Sequence, residues 1–197
     1  MGAGPVTWPL HALVLRTPSL VLRGMTEADA GALAAMVPDD LEHDPRFPDL
    51  TSGQKVLRQY WRAVATWTVD DWELPFVALL DGVPIGLQAL EGKDFPVRRT
   101  VDSHSWLVAS ARGQGYGKQM RAAVLSLAFG HLGATTAVTE AWDDNASSLG
   151  VSRSLGYRDN GVDVHAGGRR MQRLLLEQWS GTVEVEGLEE CLALFGL

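Results

Sequence analysis

The sequence predicts a single α/β domain, and three stretches carry that reading. Residues 108–133 read as the end of a strand, a glycine-rich turn and an amphipathic helix. Met120, Ala123, Val124, Leu127 and Ala128 follow the i, i+3, i+4 spacing of one helical face, and Gly133 is the stop. Residues 74–80 and 84–90 flank Asp81-Gly82, a two-residue hairpin turn. Residues 158–164 and 169–178 read as a closing hairpin through Ala166-Gly167-Gly168. A chain of 197 residues is long enough for one substantial core.

The remaining elements follow in order. Residues 20–23 form a short strand, and Thr26 begins a helix running to about Met36, with Glu27 and Asp29 in the first turn where carboxylates suit the helix dipole. Pro38 stops it. Ser52 caps a second helix, which carries Val56, Tyr60, Trp61, Val64 and Trp67 on an apolar face. Residues 94–99 are a loop and 100–108 a strand. After the central helix, residues 134–141 form the partner strand, and Asp143 or Asp144 opens a helix holding Asn145 through Leu155. The last stretch contains Val183, Val185, Leu188, Leu192, Leu194 and Phe195. It is too apolar for a free tail, so it packs on the body or on a second subunit in a homodimer. The expected division is an arm at 1–12, a domain at 13–179 and a packed tail at 180–197.

Composition excludes several classes of function. A net charge of −7 argues against a nucleic-acid partner, which needs a basic surface, and weakly favours a cationic acceptor such as an amine. No stretch reaches membrane-spanning length and the first residues lack a signal-peptide pattern, so a cytoplasmic protein is expected. Cys191 is the only cysteine. With five scattered histidines it makes neither an internal disulfide nor a metal site, and no partner for thiol catalysis can be named.

The turn before the central helix holds Gly113, Gly115 and Gly117. Glycines let the backbone approach a ligand, and the first N–H groups of a helix lack internal partners, so this is an anion cradle. A Walker loop fails, because Arg112 stands where its first glycine belongs and Gln119 replaces the Ser or Thr. A dinucleotide fingerprint also fails, since Lys118 occupies the third glycine position. Arg112, Lys118 and Arg121 supply local positive charge.

What remains is R-x-x-G-x-G over Arg112, Gly113, Gln114, Gly115, Tyr116 and Gly117, directly after a strand. This resembles the coenzyme A pyrophosphate loop of the GNAT superfamily of N-acyltransferases. Asn145 and Ser148, followed by Val151 and by Leu155-Gly156-Tyr157, resemble the N-x-x-S and L-G-F/Y run of the same enzymes. The resemblance is closest to the ribosomal-protein N-terminal acetyltransferases. It implies a GNAT fold: a mixed, mostly antiparallel sheet splayed at the acyl-CoA site and flanked by helices.

The resemblance further implies acetyl-CoA, or another acyl-CoA such as succinyl-CoA, as co-substrate without a metal. The acceptor is a small-molecule amine or a peptide or protein N-terminus. The cofactor would be held by Arg112 through Lys118, by Asn145 and Ser148, and by backbone groups of Trp106 and Leu107. Glu140 matches the family's base, with Trp142 beside it to desolvate it, and His104 is a second candidate. Ser148 matches the acid that protonates the thiolate. The acidic loop with Asp39, Asp40, Glu42 and Asp44 matches a loop that shapes the acceptor pocket. A non-catalytic acyl-CoA sensor on the same fold is the rival reading, distinguished by the absence of thiol release on any amine.

Overall fold

The computed structural model describes residues 8–41 and 47–197. The strands are β1 (Val14–Arg16), β2 (Val21–Gly24), β3 (Trp72–Leu80), β4 (Val83–Gly92), β5 (Thr100–Leu107), β6 (Thr136–Trp142), β7 (Arg158–Val164), β8 (Arg170–Leu176) and β9 (Glu184–Glu186). They form one sheet in the order β7-β8-β6-β5-β4-β3-β2-β1-β9. The paired neighbours are antiparallel except β5 and β6. The helices are α1 (Glu27–Ala34), α2 (Ser52–Ala65), α3 (Phe95–Arg98), α4 (Tyr116–Gly130) and α5 (Ala146–Ser154).

Two cores explain the layering. On one face α4 buries Met120, Ala123, Val124, Leu125, Leu127 and Ala128 against Leu74, Phe76, Val101, Ala137 and Ala141. On the other, Val56 and Tyr60 of α2 and Ala30 and Leu33 of α1 cover Val77, Leu87 and Ala89. Both faces of β3 and β4 are therefore covered, and β3 is buried continuously from Trp72 to Ala78. Each large apolar side chain so buried contributes about 1.5–3 kcal/mol. The hairpin turn forms as the sequence requires, with Asp81 at φ 50° and Gly82 at φ 79°.

Several local expectations are corrected. Thr51, not Ser52, caps α2, because its hydroxyl accepts from the Gln54 N–H while Gln54 Oε1 accepts from the Thr51 N–H, a reciprocal box. Trp61 is half exposed and Trp67 lies beyond the helix, so the apolar face of α2 is Val56, Tyr60 and Ala63. Residues 95–98 form the one-turn helix α3 rather than a loop. Asn145 is the cap of α5 and not a residue within it, since its Oδ1 accepts from the Ser148 N–H at 3.0 Å. The C-terminal stretch packs on the body. Val185 pairs with Leu15 through β9, and Cys191 and Phe195 are buried in the main core.

One irregularity positions the site. Pairing between β5 and β6 is confined to Thr100–Thr136 and Val101–Ala137. Beyond those two pairs the strands diverge, leaving a wedge that opens toward Leu107 and the N-terminus of α4.

Candidate active site

Backbone phase decides which groups of β5 face the wedge. The Val108 N–H donates to the Ile85 carbonyl at 2.9 Å, and the register runs without a slip through Leu107–Gly86 and Trp106–Leu87. In an antiparallel ladder, hydrogen-bonded and free pairs alternate. Trp106 and His104 therefore spend their backbone groups on β4, while Ser103, Ser105 and Leu107 turn theirs toward β6. Two contacts agree: Arg112 Nε donates to the Leu107 carbonyl at 3.0 Å, and Thr139 Oγ1 donates to the Ser103 carbonyl at 3.2 Å. The expected backbone pair is corrected from Trp106 and Leu107 to Ser105 and Leu107, the Trp106 side chain packing against the α2-side core.

At the mouth of the wedge the glycine turn forms the cradle. Gly113 and Gly115 have φ of 73° and 81°, values that strain any residue with a side chain. Gly115 caps α4 without a capping side chain, so the first amides of the helix stay free for an anion. A cavity of about 520 Å³ runs from this turn into the wedge, lined by every expected cofactor-binding residue except Gln114. Gln114 turns its amide to the Ser110 carbonyl instead. The walls also include Leu41, Ser105, Ser147, Val151 and Arg121, of which Ser105 and Ser147 carry no sequence signature.

Asp40 does not await an ammonium group. It binds Arg112 in a two-pronged pair at 2.5 and 2.9 Å, and that guanidinium holds its carboxyl below the usual range. Glu42 and Asp44 lie outside the described residues. Asn145 has chiefly its Nδ2 donor left to offer a ligand, because its oxygen caps α5. Ser148 lies on the cavity wall and is half-buried.

Behind the wedge, on the α2 face, lies a titratable cluster. His104 Nδ1 is 2.8 Å from Glu91 Oε1, and its Nε2 lies 2.6 Å from Gln59 Nε2 and 3.9 Å from Glu73 Oε1. Burial pulls the imidazole's pKa down, but the Glu91 bond and the charges of Glu91, Glu73 and Asp102 reverse this and leave it raised. Both ring nitrogens thus lean toward β3 and β4, away from the wedge. Glu73 is 7% exposed; burial raises its pKa although His104, Gln59 and Arg62 oppose. Glu73, Glu91 and His104 bring ligand atoms within 4.8 Å of one another, but Arg62 pairs with Glu73 and competes with any cation there.

Asp102 is the group that sequence reasoning missed. Its Oδ1 accepts from the Ser103 N–H at 2.6 Å, which turns the carboxylate toward β6. Burial, then opposition from that N–H, then the charges of Glu91, His104 and Glu140 leave its pKa at about 6. Parallel register from Val101–Ala137 sets Glu140 level with His104 across the wedge. Glu140 is exposed, while Trp142 lies under the Arg169 guanidinium at 3.9 Å and meets His165 edge-on. The expected desolvation of Glu140 by Trp142 is therefore not realised. Cys191 is buried with its thiol pushed up to about 11, unsuited to nucleophilic work.

A family model described as an acetyltransferase (GNAT) domain matches residues 19–158. The chain belongs to the GNAT acetyltransferase family. Its fold is shared by RimJ of Mycobacterium smegmatis in complex with CoA-disulfide, at 18% identity over 94% of this chain and 95% of that one, with TM-score 0.68. RimL, a ribosomal L7/L12 alpha-N-protein acetyltransferase solved with coenzyme A, matches at 17% identity over 83% and 97%, with TM-score 0.66. A spermidine N-acetyltransferase SpeG chimera from Vibrio cholerae and hSSAT matches at 14% identity over 81% and 95%, with TM-score 0.65. Among the described residues of this GNAT protein no helix is long and apolar enough to cross a membrane.

Proposed function

We infer that the protein is an acyl-CoA-dependent N-acyltransferase that passes a short acyl group, acetyl in the simplest case, to a primary amine. The observation that carries this is the wedge between β5 and β6 with the free N-terminus of α4 at its mouth. The amides at 113–117 would grip the diphosphate, helped by the side chains of Arg112 and Lys118. The pantetheine would lie in the wedge beside Asn145, with the thioester oxygen toward the amides of Ser105 and Leu107, which then stabilise the oxyanion.

The acceptor would enter over the α2 face. Asp102 and Glu140 carry negative charge there, Glu73 and Glu91 being paired with Arg62 and His104, and they favour a cationic substrate, consistent with neighbours named for a ribosomal protein N-terminus and for spermidine. An amine nitrogen attacks the thioester carbon. The C–N bond forms as the C–S bond breaks, an amine proton passes to Glu140 backed by Asp102, and the thiolate takes a proton from Ser148 or its water. The products are an amide and the free thiol of coenzyme A.

The test is amine-dependent thiol release from acetyl-CoA, with spermidine and short peptides bearing free N-termini as acceptors. Release that saturates with one amine class, and falls about a hundredfold in Glu140→Gln without loss of cofactor binding, supports the reading. Tight binding of acetyl-CoA without release on any amine supports a sensor instead.

A further inference from the structure

The wedge between β5 and β6 begins at Ser103. In a parallel ladder a residue facing its neighbour donates its N–H to one partner and accepts from the residue two places further on. Thr136 donates its N–H to the Arg99 carbonyl at 3.3 Å, and the pairs Thr100–Thr136 and Val101–Ala137 follow. This phase turns the even-numbered residues of β6 toward β5. The odd-numbered ones face β8, and the Asp143 N–H, just past the strand, keeps that phase by donating to the Arg170 carbonyl at 3.0 Å. The next rungs of the ladder would be Ser103 N–H to the Val138 carbonyl and Glu140 N–H to the Ser103 carbonyl. The ladder ends before either of them.

Two side chains take the place of those rungs. Asp102 Oδ1 accepts from the Ser103 N–H at 2.6 Å, and Thr139 Oγ1 donates to the Ser103 carbonyl at 3.2 Å. The residue types suit the two tasks, because an ionised carboxylate only accepts and a hydroxyl can donate. Short polar side chains bonded to nearby backbone compete with sheet pairing in this way. Ser103 is 4% exposed and Thr139 5%, so water does not serve the backbone there. A ladder broken at this point without substitutes would leave a buried N–H and a buried carbonyl orphaned.

The consequence reaches the chemistry two residues further along. Hydrogen-bonded strands lie about 4.8 Å apart, too close for a pantetheine arm to pass between them. Further rungs would zip β5 to β6 through Ser103 and bring Ser105, about 7 Å along the strand, within reach of β6. We propose that Asp102 and Thr139 are positioning residues: by holding both backbone groups of Ser103, their side chains end the ladder at Val101 and leave the Ser105 amide as the first donor open to a thioester oxygen. This rests on reading the wedge as the acyl-CoA site. Neither Asp102 nor Thr139 lines the cavity, so in this role both act through Ser103.

Thr139→Val keeps the side-chain shape and removes the donor, whereas Thr139→Ser keeps the donor. Two measurements on the full chain read the result: amide hydrogen exchange at Glu140 in the cofactor-free protein, and calorimetry with coenzyme A. Without the hydroxyl, the Ser103 carbonyl should draw in the Glu140 N–H. Exchange at Glu140 should then slow by about tenfold or more and coenzyme A should bind about fivefold or more weakly, while Thr139→Ser stays within about twofold of the wild type on both. A folded Thr139→Val that matches the wild type in Glu140 exchange and coenzyme A affinity overturns the proposal, because a merely structural bond lowers Tm without closing the wedge. If Thr139→Val does not fold, Asp102→Ala and Asp102→Asn decide, both being uncharged and only the second keeping the acceptor. Weaker coenzyme A binding in Asp102→Ala than in Asp102→Asn supports the proposal, and equal binding overturns it. If the wild-type chain binds no coenzyme A, the acyl-CoA reading falls, and exchange at Glu140 still decides whether Thr139 opens the wedge.

Discussion

Asp102 illustrates how one carboxylate ties stability to chemistry. Its folded pKa of about 6 lies above the ordinary aspartate value of 3.8, with burial the first cause. The sign follows: the unfolded chain releases this proton at lower pH than the folded chain. Stability therefore falls as pH rises from about 3.8 to about 6, and the penalty is fully present above that. At about 1.4 kcal/mol per pKa unit it approaches ~3 kcal/mol. Asp102→Asn keeps an oxygen for the Ser103 N–H and removes the charge. Urea titrations should find it more stable than the wild type by up to ~3 kcal/mol at pH 8, with the difference vanishing near pH 3.5. If Asp102 backs the proton transfer, the wild-type kcat/KM should also climb through an acid limb near pH 6 that the variant lacks. A stability gap independent of pH would mean that the carboxylate is not held protonated by its surroundings. The same residue was invisible in the sequence. An aspartate beside a serine in a strand carries no pattern, and its pKa is raised first by burial and then by the charges of Glu91 and Glu140, neighbours that β4 and β6 bring near.

At the scale of elements, the glycine turn and α4 were legible because their chemistry is local. Met120, Ala123, Val124, Leu127 and Ala128 are all buried as their spacing required, and the turn at Asp81-Gly82 needs positive φ at both positions, which its residues permit. Features set by pairing were less legible. Strand phase moves the wedge-facing amide from Trp106 to Ser105, and no side-chain pattern reports that choice. Thr51 and Ser52 are adjacent candidate caps, and Gln54, three residues after Thr51, decides between them by returning the bond. Asp40 reads as a solvated charge until folding sets Arg112 against it. The cradle itself predicts a clear phenotype. A Cβ at Gly115 would meet no protein atom within 4 Å, so it would project into open cavity, and its φ of 81° strains any branched side chain. Gly115→Val should therefore weaken coenzyme A binding by about tenfold or more in calorimetry and cost about 1–3 kcal/mol of stability. Unchanged affinity in a folded variant would move the diphosphate away from this turn.

For the molecule as a whole, the two ends of the chain close one core. Trp67 stacks on Trp72 at 5.8 Å and meets Phe195 edge-on at 5.3 Å, while Phe195 lies 5.1 Å from Trp72 and Trp72 lies 5.1 Å from Phe95. Trp67 Nε1 donates to the Leu194 carbonyl at 3.0 Å, fixing the last turn against the chain just after α2. The pairing of β9 with β1 adds a ninth strand, but its Arg16–Glu186 ion pair is exposed and contributes little beside the aromatic packing. Phe195 is 1% exposed, so truncating it opens a cavity among rigid rings that cannot collapse to fill it. Phe195→Ala should cost about 3–5 kcal/mol, lowering Tm by about 10 °C in a chain of this size. The cradle lies at the opposite end of β5 from the strand level of Trp72, with no aromatic of the cluster lining the cavity. The surviving native protein should therefore bind coenzyme A within about twofold of wild type, as distant independent sites do. A large loss of affinity alongside the lower Tm would mean that the C-terminal turn sets the width of the wedge, since β3 and β4 are the path by which a shift at Trp72 could reach Val101.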